Sequence, residues 1–156
     1  MVSRILHRGQ FDISLIGYIG FYIESSLFPP PRISRIDPPA DDALISRKML
    51  LGPFCGKPAC QFINITPGKS RGVCADAFLQ RKTVIVLDVE QYPGHIACDG
   101  DTKSEIVCPL ILRPNNSNAV TLGVLDIDCL VEGGFDEEDR KGLEKIVELV
   151  VESCDW

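Results

Sequence analysis

Apolar residues occur along this chain in two kinds of pattern, short β-branched runs and stretches with helical spacing. Residues 105–112 and 119–128 are apolar runs separated by the turn-forming sequence Arg-Pro-Asn-Asn-Ser-Asn, which predicts an antiparallel hairpin. Residues 83–89 form another β-branched run, followed by the turn sequence Tyr-Pro-Gly. Residues 137–154 carry apolar side chains three or four positions apart after Asp136, which predicts a capped helix that packs one face on the sheet.

The first half of the chain is richer in glycine and proline and predicts shorter elements. Residues 13–23 predict a strand that two glycines interrupt, as at a bulge or a close ligand approach. Residues 29–39 hold five prolines and predict an extended surface loop. The apolar run at 49–54 ends in Gly-Pro, so mostly loop is expected after it, with a brief strand at 61–65. Residues 73–81 predict a short helix, and the elements together predict an α+β domain with an antiparallel sheet.

Length and composition narrow the class of protein. The 156 residues favour one domain at 13–156 with an atypical N-terminal segment at 1–12. The 45% hydrophobic and 24% charged residues exclude a disordered chain. A net charge of -6 without a Lys/Arg block argues against nucleic acid or a membrane surface as a partner and favours small molecules or proteins. The uncharged stretch at 13–23 is too short to span a bilayer, and neither a membrane helix nor a signal peptide is expected.

The chain has seven cysteines, and their positions divide them into two groups. A chain of this length needs no disulfide to stabilise its core, so reduced thiols in the cytoplasm are expected. Cys60, Cys74 and Cys98 flank loops and the starts of predicted elements. Cys108 and Cys154 fall within apolar patterns and are expected to be buried as small hydrophobic side chains.

Two of these cysteines are candidates for reactive thiolates. Cys74 lies in the first turn of the predicted short helix, where the helix dipole is expected to lower the thiol pKa. His95 precedes Cys98 by three residues, and an imidazolium there would act in the same direction. Packing alone is the competing interpretation for any one cysteine. A zinc site is another alternative, with soft ligands from Cys55, Cys60, Cys74, His95 and Cys98 but no C-x2-C knuckle.

Carboxylates form a second candidate cluster. Asp126 and Asp128 alternate along an otherwise apolar strand and therefore point to the same face. Glu105 precedes the neighbouring strand of the hairpin and can converge on the same place. Acids that face one pocket raise the pKa of at least one member, which creates a proton donor at neutral pH. The competing interpretation is that these are solvated carboxylates at strand ends.

Several motifs of the chain are specific enough to indicate a family. They are Gly-Pro-Phe at 52–54, Gly-Lys-Pro-Ala-Cys-Gln at 56–61, Gly-Val-Cys at 72–74, Tyr-Pro-Gly-His-Ile-Ala-Cys-Asp at 92–99, Ser-Glu-Ile-Val at 104–107 and Gly-Val-Leu-Asp-Ile-Asp at 123–128. The chain resembles the free methionine-(R)-sulfoxide reductases, a catalytic branch of the GAF-domain family. The resemblance implies a six-stranded antiparallel GAF sheet flanked by helices, a homodimer, and the reduction of free L-methionine-(R)-sulfoxide.

The resemblance also implies roles for matching positions. Cys98 matches the nucleophile, Cys60 matches the partner that closes a disulfide with it, and Cys74 matches a third cysteine of the family. The positions that match the substrate pocket are Glu105, Asp126, Asp128 and, where the family usually has tryptophan, Tyr18.

The implied reaction needs no metal, flavin or nucleotide as cofactor. A thiolate attacks the sulfoxide sulfur, Glu105 is the candidate proton donor to the departing oxygen, and Asp126 or Asp128 holds the substrate ammonium. The resulting sulfenic acid condenses with a second thiol to a disulfide, which an external dithiol such as thioredoxin reduces. The competing function is a non-catalytic GAF-type sensor domain that binds a small molecule.

Overall fold

The computed structural model describes residues 13–28, 47–68, 71–96, 98, 100–114 and 118–156. The expected N-terminal segment at 1–12 and the proline-rich loop at 29–39 lie outside these residues. The strands are β1 (Ile16–Glu24), β2 (Lys48–Gly56), β3 (Phe62–Asn64), β4 (Val84–Val86), β5 (Ser104–Leu112) and β6 (Val120–Cys129). The helices are α1 (Val73–Gln80) and α2 (Glu137–Ser153).

All six strands pair antiparallel in a single sheet of order β3-β2-β1-β6-β5-β4. The structure therefore confirms the expected six-stranded antiparallel sheet flanked by helices. The predicted hairpin is β5 and β6, whose register places Glu105 opposite Asp128 and Val107 opposite Asp126. This register matters for function because it brings the carboxylates of two neighbouring strands together.

The sheet buries apolar side chains on both faces, with one helix on each. Helix α1 packs over a core that includes Tyr18, Tyr22 and Val124. Helix α2 contributes Val147 and Val151 to the core on the opposite face. The two faces follow from the alternation of side chains along each strand.

Helix α2 begins as the sequence predicts. The Asp136 carboxylate accepts hydrogen bonds from the backbone N–H groups of Glu138 and Asp139, and the Asp139 carboxylate accepts one from the Asp136 N–H. This reciprocal pair forms a capping box that satisfies N–H groups left open at the helix start.

Neither helix in the described part of the chain has the length and apolar composition needed to cross a membrane.

Strand β2 is longer than the sequence predicts, since it continues through Gly-Pro to Gly56. Only Phe21 of β1 separates the partners of Leu51 and Phe54, so Gly52 and Pro53 together face one residue. Such a bulge leaves backbone groups out of the hydrogen-bond ladder, and it therefore accommodates a proline that has no N–H.

Two predictions at the ends of elements were wrong. The strand expected at 83–89 is limited to Val84–Val86, because the Asp88 carboxylate caps the backbone N–H of Glu90 and begins a 3-10 turn. Cys154 was expected to be buried on the helix, but α2 ends at Ser153 and Cys154 is exposed. Cys108, by contrast, is buried as predicted.

Candidate active site

A cavity of about 260 Å³ lies on the α1 face of the sheet. Its size suits a small metabolite better than a nucleotide or a peptide. Every site residue that the sequence indicated lines this cavity, namely Tyr18, Cys60, Cys74, Cys98, Glu105, Asp126 and Asp128. The walls come from strands β1, β3, β5 and β6, from the start of α1, and from the loops that carry Cys60 and Cys98.

Cys60 and Cys98 are joined in a disulfide at the cavity, with their Cα atoms 5.3 Å apart. This is the pair that the family resemblance implies. Cys98 is exposed and Cys60 is half-buried, whereas Cys74 is a buried thiol. Disulfide sulfurs are not thiolates, so the zinc ligand set considered from the sequence does not exist in this oxidised form.

The three carboxylates converge inside the cavity as the strand pattern predicts. The Cys74 Sγ lies 3.8 Å from Glu105 Oε1, and the His95 Nε2 lies 3.7 Å from Glu105 Oε2. Cys74 Sγ and one oxygen each from Glu105 and Asp126 all lie within 4.8 Å of one another. The alternative of solvated carboxylates is wrong for Glu105 and Asp126, because both are buried.

Burial changes the protonation of these acids. The pKa of Glu105 is raised well above its ordinary value, first by burial and then by the charges of Asp126 and Asp128. Burial raises the pKa of Asp126 to about 6. Crowded, buried carboxylates resist simultaneous ionisation, so the protonated form of Glu105 is favoured and this side chain can act as a proton donor.

The sequence predicted a lowered pKa for the Cys74 thiol, and this direction was wrong. Its pKa is raised, by burial first and then by the charges of Asp126 and Glu105. The N-terminal end of α1 favours a negative charge, but burial and nearby carboxylates outweigh it here. Cys74 therefore remains a protonated thiol at neutral pH and can donate a hydrogen bond to Glu105.

Two polar atoms of the cavity wall are buried without a hydrogen-bond partner among the described residues, Tyr18 Oη and Asp126 Oδ1. Tyr18 lies over Gly20 of its own strand, where an added Cβ would come within 2.1 Å of the Tyr18 hydroxyl. The glycine in β1 thus allows the close approach of a neighbouring aromatic ring. Buried polar atoms without partners are costly, and a polar ligand in the cavity would relieve that cost.

The raised pKa of Asp126 predicts that Asp126→Asn stabilises the protein at alkaline pH. A carboxyl group with a pKa near 3.8 when unfolded and about 6 when folded opposes folding once pH exceeds 6, by about 3 kcal/mol. Denaturant unfolding at pH 8 is expected to show this gain, and the gain is expected to shrink as pH falls and to vanish below about pH 3, where both states hold the proton. Glu148→Gln, which neutralises an acid at an exposed position of α2, is the matched control and is expected to leave the stability at pH 8 close to that of the native protein. Equal stability of the Asp126→Asn and native proteins at pH 8 would contradict the account.

Tyr22 is a cavity residue that sequence reasoning missed, and it fixes the backbone at Cys60. Its hydroxyl donates a 2.9 Å hydrogen bond to the Cys60 carbonyl oxygen. We expect Tyr22→Phe to destabilise the oxidised protein by about 1 kcal/mol and to shift the disulfide reduction potential, which equilibration with glutathione measures. Tyr92→Phe, which removes the bond to Asp76, is the control and should leave that potential unchanged. A Tyr22→Phe potential equal to that of the native protein would contradict the positioning role.

Some other cavity residues were not predicted from the sequence. Arg71, Ile96 and Thr102 line the cavity from loops, where no periodic pattern predicts the direction of a side chain. Tyr22 had a usable signal, because it lies four positions after Tyr18 on a strand and such residues share a face.

Several known proteins are similar to this chain in sequence or in fold. No protein-family model matches the chain. The free methionine-R-sulfoxide reductase of Saccharomyces cerevisiae is 52% identical over 106 residues, which cover 68% of this chain and 54% of the yeast protein. The chain thus spans about half the length of that relative.

Solved structures similar to this chain match a larger share of its length than the yeast protein does. The fRMsr of Staphylococcus aureus in its reduced form is 38% identical with a TM-score of 0.65, and the match covers 88% of this chain and 71% of that one. A structure described as a GAF domain is 41% identical with a TM-score of 0.68, covering 92% of this chain and 68% of that one. The cavity, the disulfide and the buried acids therefore occur on a GAF fold.

Proposed function

This chain belongs to the GAF-fold family of free methionine-(R)-sulfoxide reductases, and from that premise we propose that it reduces free L-methionine-(R)-sulfoxide to L-methionine. The observation that carries the proposal is the Cys60–Cys98 disulfide on a small cavity that also holds the buried acid Glu105. Two cysteines that can pair and a proton donor are the groups that thiol-dependent sulfoxide reduction requires.

The cavity suits the polar and apolar ends of a free amino acid. Asp126 and Asp128 lie on the same face of β6, and their negative charge favours an ammonium group. Tyr18 provides an aromatic wall for the methyl group. A methionine sulfoxide within a peptide lacks the free ammonium and carries additional backbone, so a site of this size with two acids favours the free amino acid.

In the first chemical step, Cys98 is the nucleophile and Glu105 is the proton donor. The Cys98 thiolate attacks the sulfoxide sulfur, the sulfur–oxygen bond breaks, and Glu105 supplies a proton to the oxygen. The attack leaves the Cys98 sulfur bonded to the substrate sulfur, and the released hydroxide then adds to the Cys98 sulfur and breaks this sulfur–sulfur bond. Methionine leaves with its sulfur reduced by two electrons, and Cys98 is left as a sulfenic acid, oxidised by two electrons. Cys74 remains a thiol that hydrogen-bonds Glu105 and keeps its side chain oriented towards the substrate.

The second step regenerates the enzyme. The Cys60 thiol attacks the Cys98 sulfenic acid, water departs, and the disulfide forms. An external dithiol, for which we propose thioredoxin, then exchanges its two thiols for this disulfide. The cycle balances without a bound cofactor, since the dithiol supplies both electrons.

The substrate assignment is tested by offering the purified, reduced protein the free R epimer, the free S epimer and a peptide-bound sulfoxide. NADPH consumption is followed with thioredoxin and thioredoxin reductase present. We expect turnover with the free R epimer alone. No turnover with any of the three, from folded and reduced protein, would contradict the enzyme proposal and favour a ligand-binding sensor.

The oligomeric state and the cellular location of the protein are proposed separately from its reaction. We propose a cytoplasmic homodimer in which residues 13–156 form one catalytic domain. Two apolar side chains of α2, Ile146 and Leu149, are exposed in the single chain and offer an apolar surface to a second copy. Light scattering of the purified protein is expected to give the mass of two chains, and the mass of one chain would contradict the dimer.

A further inference from the structure

Two apolar side chains lie exposed at the mouth of the cavity, one beside each half of the disulfide. Phe62 follows Cys60 by two residues on the edge strand β3, and Ile96 precedes Cys98 by two residues. Phe62 is 59% exposed and Ile96 is 53% exposed, and both line the same cavity as the two cysteines. Single exposed apolar residues are common, but here two of them flank one redox-active bond.

The position of the disulfide determines what must approach this mouth. Thiol–disulfide exchange requires an attacking thiolate to reach one of the two sulfurs directly. Cys98 is exposed and Cys60 is half-buried with its carbonyl oxygen held by Tyr22, so the accessible side is that of Cys98. A protein that delivers a thiolate to Cys98 must therefore cover the surface around it, which includes Ile96 and Phe62.

We propose that Phe62 and Ile96 form the docking surface for the protein dithiol that reduces the Cys60–Cys98 bond, an inference that rests on the proposed function. The partner is a protein whose nucleophilic thiol is surrounded by apolar surface, because apolar contact is what the two side chains offer. The Lys48 Nζ lies 5.5 Å from the centre of the Phe62 ring, and this cation–π contact limits the orientations of the ring before the partner arrives.

Docking brings the reactants together for a balanced exchange. The partner thiolate attacks the Cys98 sulfur, the Cys60–Cys98 bond breaks, and Cys60 leaves as a thiolate that takes a proton. The partner's second thiol then attacks the mixed disulfide and releases Cys98 as a thiolate. The partner ends as a disulfide and this protein ends with two reduced cysteines, so two electrons pass from one to the other.

The test uses the same disulfide with two reductants of different size. The oxidised protein is mixed with thioredoxin or with dithiothreitol, without methionine sulfoxide, and the rate of disulfide reduction is followed by intrinsic fluorescence and thiol labelling. We expect the double variant Phe62→Ala/Ile96→Ala to react with thioredoxin at least about tenfold more slowly, because apolar anchors at an interface contribute this much. Its rate with dithiothreitol is expected to stay within about twofold of the native rate, because a small molecule needs no docking surface.

The control is Leu87→Ala, an apolar side chain of matching exposure (59%) outside the cavity lining, which should leave both rates unchanged. An unchanged thioredoxin rate in the double variant would overturn the docking proposal. Equal slowing with both reductants would also overturn it, since the substitutions would then act on the disulfide itself. Because methionine sulfoxide is absent, these results are separate from those of the turnover assay.

Discussion

Replacement of Cys98 by serine is expected to remove methionine formation, including the first turnover. Serine presents a hydroxyl in place of a thiolate, and a hydroxyl neither attacks the sulfoxide sulfur nor carries the oxygen as a sulfenic acid. We expect the rate of methionine release to fall at least about a thousandfold. Rapid-quench analysis of reduced protein with the free R epimer measures this first turnover directly.

Cys60→Ser separates the two roles within the disulfide. This variant keeps the attacking thiol, so it should release methionine once at close to the native rate and then stop, because no second thiol closes the disulfide. Cys154→Ser, at an exposed free thiol, is the control and should turn over normally. An equal loss of the first turnover in Cys60→Ser and Cys98→Ser would contradict this division of roles.

The second large effect is expected for Glu105→Gln. A glutamine keeps the shape of the side chain but has no proton to give to the departing oxygen, and loss of a general acid slows a reaction by about 10²–10⁴-fold. The first-turnover rate is expected to fall by this amount while the native disulfide still forms in an oxidant. Glu90→Gln, at an exposed acid paired with Lys103, is the control and should retain the native rate.

The pH profile distinguishes acid catalysis from a structural effect. Burial and neighbouring charges raise the pKa of Glu105, so the active, protonated form persists to higher pH than in an ordinary glutamate and is lost as pH rises through that pKa. The native rate should therefore fall on the alkaline side, and this fall should be missing in Glu105→Gln, which has no such proton. The same alkaline fall in both proteins would contradict the assignment of Glu105 as the acid.

The parts of the fold that the sequence predicts are those set by local pattern. The β5–β6 hairpin follows from two apolar runs around a turn cluster, and the cap at Asp136 is encoded within four residues. The continuation of β2 through Pro53 was missed because a bulge depends on how β1 pairs with it, about thirty residues away in sequence. Such pairing carries no local signature in β2 itself.

The chemistry of the site could also be predicted only in part from the sequence. The shared face of Asp126 and Asp128 was predictable from strand alternation, and Glu105 from its place in the hairpin. The pKa of Cys74 was predicted in the wrong direction, because its helix position is local while Asp126 and Glu105 reach it through the tertiary fold. Burial and long-range charge decide the protonation of that thiol, and neither is visible in its neighbouring residues.

Reduction of the free sulfoxide by Cys60 and Cys98 is measured most directly in a single turnover. Fully reduced protein is mixed with excess free L-methionine-(R)-sulfoxide in the absence of any reductant, and methionine and remaining thiols are counted in the same sample. We expect about one methionine released for each chain, the loss of two thiols, and peptide mapping of the new disulfide to Cys60 and Cys98. No methionine, or methionine released while Cys60 and Cys98 both remain reduced, would contradict this expectation.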